Sequence, residues 1–197
     1  AAALTLALEG VYWKPIQAGA APATDRAEVA RWSGLPPERL LPEQLLLALP
    51  ASPHLAARRA GCRIAVEAFT LPACDRPLIV EGAGGVLAPL SDTHFMVDLM
   101  VHLGLPVVLV ARTQLGTLNH TLLSLEALRR RGLAVAAVVM HGELQGEVPV
   151  DNLAAIAAMG AVTVLPLPWL PTGDRGALQA AAHALAAQRA TLLGAGA

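Results

Sequence analysis

The chain predicts an α/β fold: a parallel sheet with helices on both faces. Three observations carry that expectation. Short apolar runs take turns with longer Ala- and Leu-rich runs, the order that builds βαβ units. The short runs are apolar throughout, as strands covered on both faces require. Finally, Val80-Glu81-Gly82-Ala83-Gly84-Gly85-Val86 sets a carboxylate and three glycines directly after the run Pro77–Val80. In an open α/β sheet the carboxyl end of a strand is where ligands bind.

The elements follow in order. Ala1–Gly10 reads as the second half of a helix that ends at a glycine, with no initiator Met and no Ser, Thr or Asp cap. A helix feeding a parallel strand normally follows another strand, so a strand and a loop are expected before Ala1. Gly10–Ile16 is the first strand and Arg26–Ser33 a helix. Pro36-Pro37-Glu38 and Pro42-Glu43 break the stretch from Leu35 to Pro50 into turns and short pieces. A helix at Pro53–Thr70, a strand at Leu78–Glu81 and a helix at Thr93–Leu103 come next. Then strands at Pro106–Ala111, Ala134–Met140 and Val162–Pro166 alternate with helices at Thr117–Arg131, Asp151–Met159 and Asp174–Leu193. Arg129-Arg130-Arg131-Gly132 ends its helix with cations in the last turn and a glycine beyond. With no internal repeat and no linker, one domain over residues 1–197 is the default.

Composition excludes several classes. The net charge is −1 and charged residues make up 15%, against the basic footprint that nucleic acid calls for. Aromatic residues at 3% leave no base-stacking platform of the single-strand type. Every apolar stretch is interrupted before the roughly 18 residues of a membrane span, and no signal peptide opens the chain. Cys62 and Cys74 have neither metal-ligand spacing nor a disulfide framework. Two free thiols fit a reducing, cytoplasmic setting.

Several side chains are candidates for chemistry. Glu81 is either a solvated turn residue or a group facing a metal ion or polyphosphate. Lys14, near the end of the first strand, is the chain's single lysine among fourteen basic Lys and Arg residues. It is either a surface lysine or a compact point charge for a carboxylate, carbamate or phosphate. Asp25 is either an N-terminal helical acid or, with Glu81, a hard oxygen ligand for Mg²⁺. Around Thr113–His120 a helix opens, offering free N–H groups to an anion, or plain capping by Thr117 or Asn119. Ser52-Pro53-His54 and Ser91-Asp92-Thr93 read as turn and cap chemistry. No Gly-x-Ser-x-Gly elbow stands in the chain, and no Gly-x-Gly-x-x-Gly marks a first strand–helix turn.

Taken together, the motifs resemble the dethiobiotin synthetases, ATP-dependent carboxylases of biotin biosynthesis. The pieces are Trp13-Lys14-Pro15-Ile16-Gln17-Ala18-Gly19, Thr24-Asp25, Ser52-Pro53-His54-Leu55-Ala56-Ala57, Val80–Gly85, Pro89-Leu90-Ser91-Asp92, Leu115–His120 and Leu167-Pro168-Trp169-Leu170. They occur in family order over about residues 1–171. The resemblance implies a P-loop NTPase-like three-layer sandwich and a homodimer. It implies that ATP, CO₂ or bicarbonate, and 7,8-diaminononanoate are joined with Mg²⁺ to give dethiobiotin. By the resemblance, Lys14 stabilises the carbamate and the transferred phosphoryl, and Asp25 and Glu81 hold Mg²⁺. Gly82, Ala83, Gly84 and Gly85 bind the diamine; Gly116, Thr117, Leu118 and Asn119 receive the substrate carboxylate near the dimer interface; Pro168 and Trp169 lie on the purine side.

Three departures from the family pattern stand out. The family begins with a strand and a Gly-x-x-x-x-Gly-Lys-Thr phosphate loop; no such motif occurs here, so a chain missing its first strand and phosphate loop is expected. Where many members carry Asn for adenine, this chain reads Met140-His141-Gly142-Glu143. Ala18 stands where Ser or Thr is frequent. The competing readings are a catalytically inactive remnant or dimerising interaction protein of the same fold, and an amidotransferase-like ligase, which adds a glutaminase domain.

Overall fold

The computed structural model describes residues 1–20 and 22–194. The chain divides into two compact units, Ala1–Gly104 and Leu105–Ala197. Both are α/β, and every named strand pair in them is parallel.

In the first unit, helix α1 (Ala2–Ala7) leads through Glu9, at φ 51°, and Gly10 into strand β1 (Val11–Trp13). A Cβ on Gly10 would lie 2.4 Å from the Pro77 carbonyl oxygen, so only glycine lets β1 start there. The single strand expected over Gly10–Ile16 is two pieces, β1 and β2 (Ile16–Ala18). Pro15 separates them; it has no N–H to extend the ladder. Helix α2 (Asp25–Ser33) is followed by β3 (Leu40–Leu41) and β4 (Leu45–Leu47), inside the stretch read as turns. Then come α3 (Pro53–Arg59), β5 (Leu78–Val80) and α4 (Met96–Leu103). The helix expected through Thr70 stops at Arg59; Gly61 at φ 68° turns the chain away, and a short 3₁₀ turn at Val66–Ala68 follows. The strands form two sheets, in the orders β3-β1-β5 and β2-β4. One core gathers Ile16, Leu47, Ala57, Phe69, Leu90, Met96 and Leu99; a second gathers Tyr12, Val29, Leu35 and Leu40.

The second unit holds β6 (Val107–Arg112), α5 (Thr117–Arg129), β7 (Val135–Gly142), α6 (Glu147–Gly160), β8 (Val164–Pro168), α7 (Arg175–Ala186) and α8 (Arg189–Leu192). Its sheet has the order β6-β7-β8 over a core of Ala111, Leu125, Val138, Met140 and Ile156. Helix α6 starts four residues before the expected Asp151. Pro149 lies in its first turn, where an N–H would have no helical partner anyway. The expected Asp174–Leu193 helix is two helices, α7 and α8. Among the described residues no helix is long and apolar enough to cross a membrane.

Candidate functional site

Strands β1 and β5 are neighbours in register, with Trp13 opposite Val80. The next residue of each is charged: Lys14 after β1 and Glu81 after β5. Both therefore arrive at the carboxyl edge of one sheet. Asp25 is the first residue of α2, whose cap Thr24 accepts the Ala27 N–H at 3.3 Å. Lys14 is 6% exposed, and its ammonium donates to Asp25 Oδ2 and to Glu81 Oε1, the latter at 3.3 Å. The two carboxylates remain partly open to solvent. Lys14 is therefore no surface lysine.

Two further side chains belong to this cluster and escaped the sequence reading. Tyr12 donates its phenolic O–H to Glu81 Oε2 at 3.1 Å. The signal was its spacing of two from Lys14, which places both on one side of an extended chain. Gln17 is buried; its Oε1 accepts the Asp25 N–H at 3.2 Å, and its Nε2 donates to the Gly19 carbonyl at 2.8 Å. Burial first, then the charge and acceptor oxygen of Glu81, push the Tyr12 phenol well above the ordinary tyrosine range. A raised folded value means that the folded chain keeps the proton after the unfolded chain has lost it. The associated stability is complete below about pH 10 and declines as pH rises beyond it. Tyr12 is the chain's single tyrosine, so an ultraviolet phenolate titration reads it alone. We expect no phenolate in the native protein near the ordinary tyrosine pKa, release on unfolding, and loss of this alkaline stability slope in Tyr12→Phe. A native phenol that titrates at its ordinary value would contradict the bond to Glu81.

The loop after Glu81 is tightly built. Gly84 takes φ 84°, and a Cβ there would lie 3.0 Å from that of Ala88. A Cβ on Gly82 would meet Met96 Sδ at 3.3 Å, whereas Gly85 faces open space. Ala83 is buried in the core. The loop is tied to the start of α4 by the Val97 N–H on the Val86 carbonyl at 2.9 Å and the Met96 N–H on the Ala88 carbonyl at 2.8 Å.

In the second unit, Gly116 at φ 89° is the N-cap of α5, and no side chain caps that end. Capping by Thr117 or Asn119 therefore does not occur. Thr117 is buried with its Oγ1 3.4 Å from Thr121 Oγ1; Leu118 is half-buried and Asn119 exposed. A cavity of about 360 Å³ is lined by Arg112, Thr117, His120, Thr121 and His141, among others. At the ends of β7 and β8 the His141 and Trp169 rings stack, 5.4 Å between centroids and 9° from parallel. The stack is fixed by the Trp169 N–H on the Gly142 carbonyl at 3.0 Å. His141 Nδ1 lies 3.3 Å from the Leu167 carbonyl oxygen. Pro168 ends β8, and Trp169 stays 67% exposed.

An AAA domain family model matches residues 1–175. The chain is 51% identical over 181 residues to an ATP-dependent dethiobiotin synthetase BioD of Rhodopseudomonas palustris strain BisA53, covering 91% of this chain and 83% of that protein. It is 56% identical over 142 residues to the BioD of Nitrobacter hamburgensis strain DSM 10229, covering 72% and 67%. The BioD of Bradyrhizobium sp. strain BTAi1 is 47% identical over 192 residues, covering 95% and 87%. The chain belongs to the dethiobiotin synthetase family.

Asp25 and Glu81 are chemically suited to a hard divalent cation such as Mg²⁺. Two hard carboxylates, Asp25 and Glu81, converge on a single positive atom, Lys14 Nζ. Mg²⁺ characteristically takes one or two carboxylates and fills its other positions with water and phosphate oxygens. Among the described residues, no group of three or more His, Cys, Asp or Glu is placed to hold a metal ion.

Proposed function

We propose that this dethiobiotin synthetase is a ligase that joins CO₂ to 7,8-diaminononanoate with ATP and closes the cyclic urea of dethiobiotin. The observation that carries the reading is Lys14, buried between Asp25 and Glu81 at a sheet's carboxyl edge, directly before the Gly82–Gly85 loop.

One substrate amine adds to CO₂ and loses a proton, forming a carbamate. A carbamate oxygen then attacks the γ-phosphorus of ATP, and ADP leaves. The second amine attacks the carbamoyl carbon, and phosphate leaves as the ring closes. Negative charge gathers on the carbamate and the phosphoryl oxygens, so a compact fixed cation is the group the chemistry needs. Lys14 supplies it: as the anions arrive, its ammonium exchanges a carboxylate partner for a carbamate or phosphoryl oxygen. Asp25 and Glu81 would hold Mg²⁺, which when bound supplies positive charge to phosphate oxygens. Gly82–Gly85 let the backbone approach the diamine, since a side chain at Gly82 or Gly84 would crowd the loop. Gly116 through Asn119 offer the uncapped N–H groups of α5 to the substrate carboxylate. Pro168 and Trp169 bound the purine side, with the exposed Trp169 face as a stacking surface. The working unit in this reading is a cytoplasmic homodimer, and the exposed Leu115 and Leu123 of the α5 region suit its contact.

The test uses the protein as its source makes it. Incubation with the diamine, bicarbonate and MgATP should give dethiobiotin, ADP and phosphate in equal amounts by mass spectrometry. ATP consumption without dethiobiotin, or no turnover at all, would end the assignment.

A further inference from the structure

In the three-stranded sheet of the first unit, a charged residue follows beyond each strand. In the order β3-β1-β5 these are Glu43, Lys14 and Glu81. Glu43 has no part in the reading above. Its side chain is 5% exposed, its Oε2 accepts from Arg26 Nε at 3.1 Å, and its Oε1 is buried with no hydrogen-bond partner. A buried carboxylate with an idle oxygen is destabilising unless something compensates.

The backbone around Glu43 is fixed on both sides. The Pro42 carbonyl accepts Trp13 Nε1 at 3.2 Å. The Gln44 and Leu45 N–H groups both donate to the Pro15 carbonyl, at 3.0 and 2.9 Å. Glu43 is thus anchored to the two residues that flank Lys14 and reaches from there to Arg26, the chain neighbour of Asp25. The first turn of α2 is gripped twice, by Gln17 on the Asp25 N–H and by Glu43 on the Arg26 guanidinium. The negative charge of Glu43 also reaches the Tyr12 phenol, together with those of Glu81 and Asp25. No third carboxylate joins Asp25 and Glu81 as a ligand set among the described residues; Glu43 pairs with Arg26 instead.

We propose that Glu43 is a positioning residue: through Arg26 it holds the start of α2 so that Asp25 faces a divalent cation shared with Glu81. This inference rests on the metal reading of Asp25 and Glu81. Loss of a group that orients a metal ligand typically lowers metal affinity about 10- to 100-fold.

The experiment titrates Mn²⁺ alone, as a paramagnetic stand-in for Mg²⁺, and reads free Mn²⁺ by electron spin resonance. Glu43→Gln keeps the shape and removes the charge. We expect its Mn²⁺ affinity to fall about 10-fold or more, Glu43→Asp to restore part of it, and Arg26→Gln to match the loss. The double variant should lose no more than either single one, because both act along one path. A merely structural anchor would lower the melting temperature and leave Mn²⁺ affinity in the folded protein unchanged. Unchanged affinity in Glu43→Gln, or additive losses in the double variant, would overturn the proposal. If Glu43→Gln does not fold, Arg26→Gln decides alone; its side chain is 40% exposed, and wild-type affinity there also overturns the proposal. A wild-type protein that makes dethiobiotin while Glu43→Gln binds Mn²⁺ normally sinks this inference and leaves the synthetase reading standing. A wild-type protein that takes up no Mn²⁺ sinks it with the metal reading.

Discussion

Lys14→Ala is expected to lower kcat for dethiobiotin formation by about 10²- to 10³-fold, the usual cost of deleting one preorganised charge at a phosphoryl or acyl centre. The loss falls on kcat more than on KM, because carbamate and phosphoryl charge is largest in the transition state. Two effects add. The reacting oxygens lose their cation, and Asp25 and Glu81 lose the ammonium that now sits between them. Lys14→Arg recovers little, since a planar, forked guanidinium does not reproduce a compact ammonium shared by two carboxylates. Steady-state kinetics with all three substrates provide the check. A kcat within a few-fold of wild type in Lys14→Ala would remove Lys14 from the chemistry.

Gly142→Ala is expected to be strongly destabilising. Gly142 ends β7 at φ 145°, and a Cβ there would lie 2.4 Å from the Oγ1 of buried Thr113. Thr113 is β-branched, with little rotamer freedom for relief, so overpacking of about 1–3 kcal/mol is expected on top of the backbone strain. The damage reaches the neighbouring rings, because the Gly142 carbonyl accepts the Trp169 N–H that fixes the His141–Trp169 stack. Urea denaturation should show a clear drop in midpoint, and ATP affinity should weaken with it. Gly61→Ala is the comparison: φ is also positive there, at 68°, but nothing lies within 4 Å of the added carbon, so its cost is backbone strain alone. Equal midpoints for the two variants would show that Thr113 yields freely.

The sequence reading located the elements whose pattern is long enough to carry a period. Helix α5 and strand β7 lie within two residues of their expected bounds. Strands β3 and β4 were missed because two- and three-residue strands among Pro36, Pro37, Pro42 and Pro50 leave no period to see. Strand β8 runs on to Pro168 despite Pro166 because it is the sheet's edge and needs no donors on its outer side. Of the site, Lys14, Asp25 and Glu81 were legible because each stands at a strand end or helix start. Tyr12 and Gln17 were not: a tyrosine and a glutamine inside apolar strands look like packing until their partners are known. Glu43 was hidden for a different reason, since its role depends on a tertiary contact with Arg26 that no local spacing encodes.

The ammonium between two acids also bears on how the protein meets its ligands. Asp25 opens a helix and Glu81 follows a strand, and like charges so placed would drift apart. Lys14 keeps them converged before any ligand arrives. The ordering of these side chains therefore belongs to folding, and binding does not repeat that entropic cost. In the proposed reading, a ligand exchanges one ionic partner of Lys14 for another, a nearly balanced swap that would favour quick entry and quick release over very tight capture.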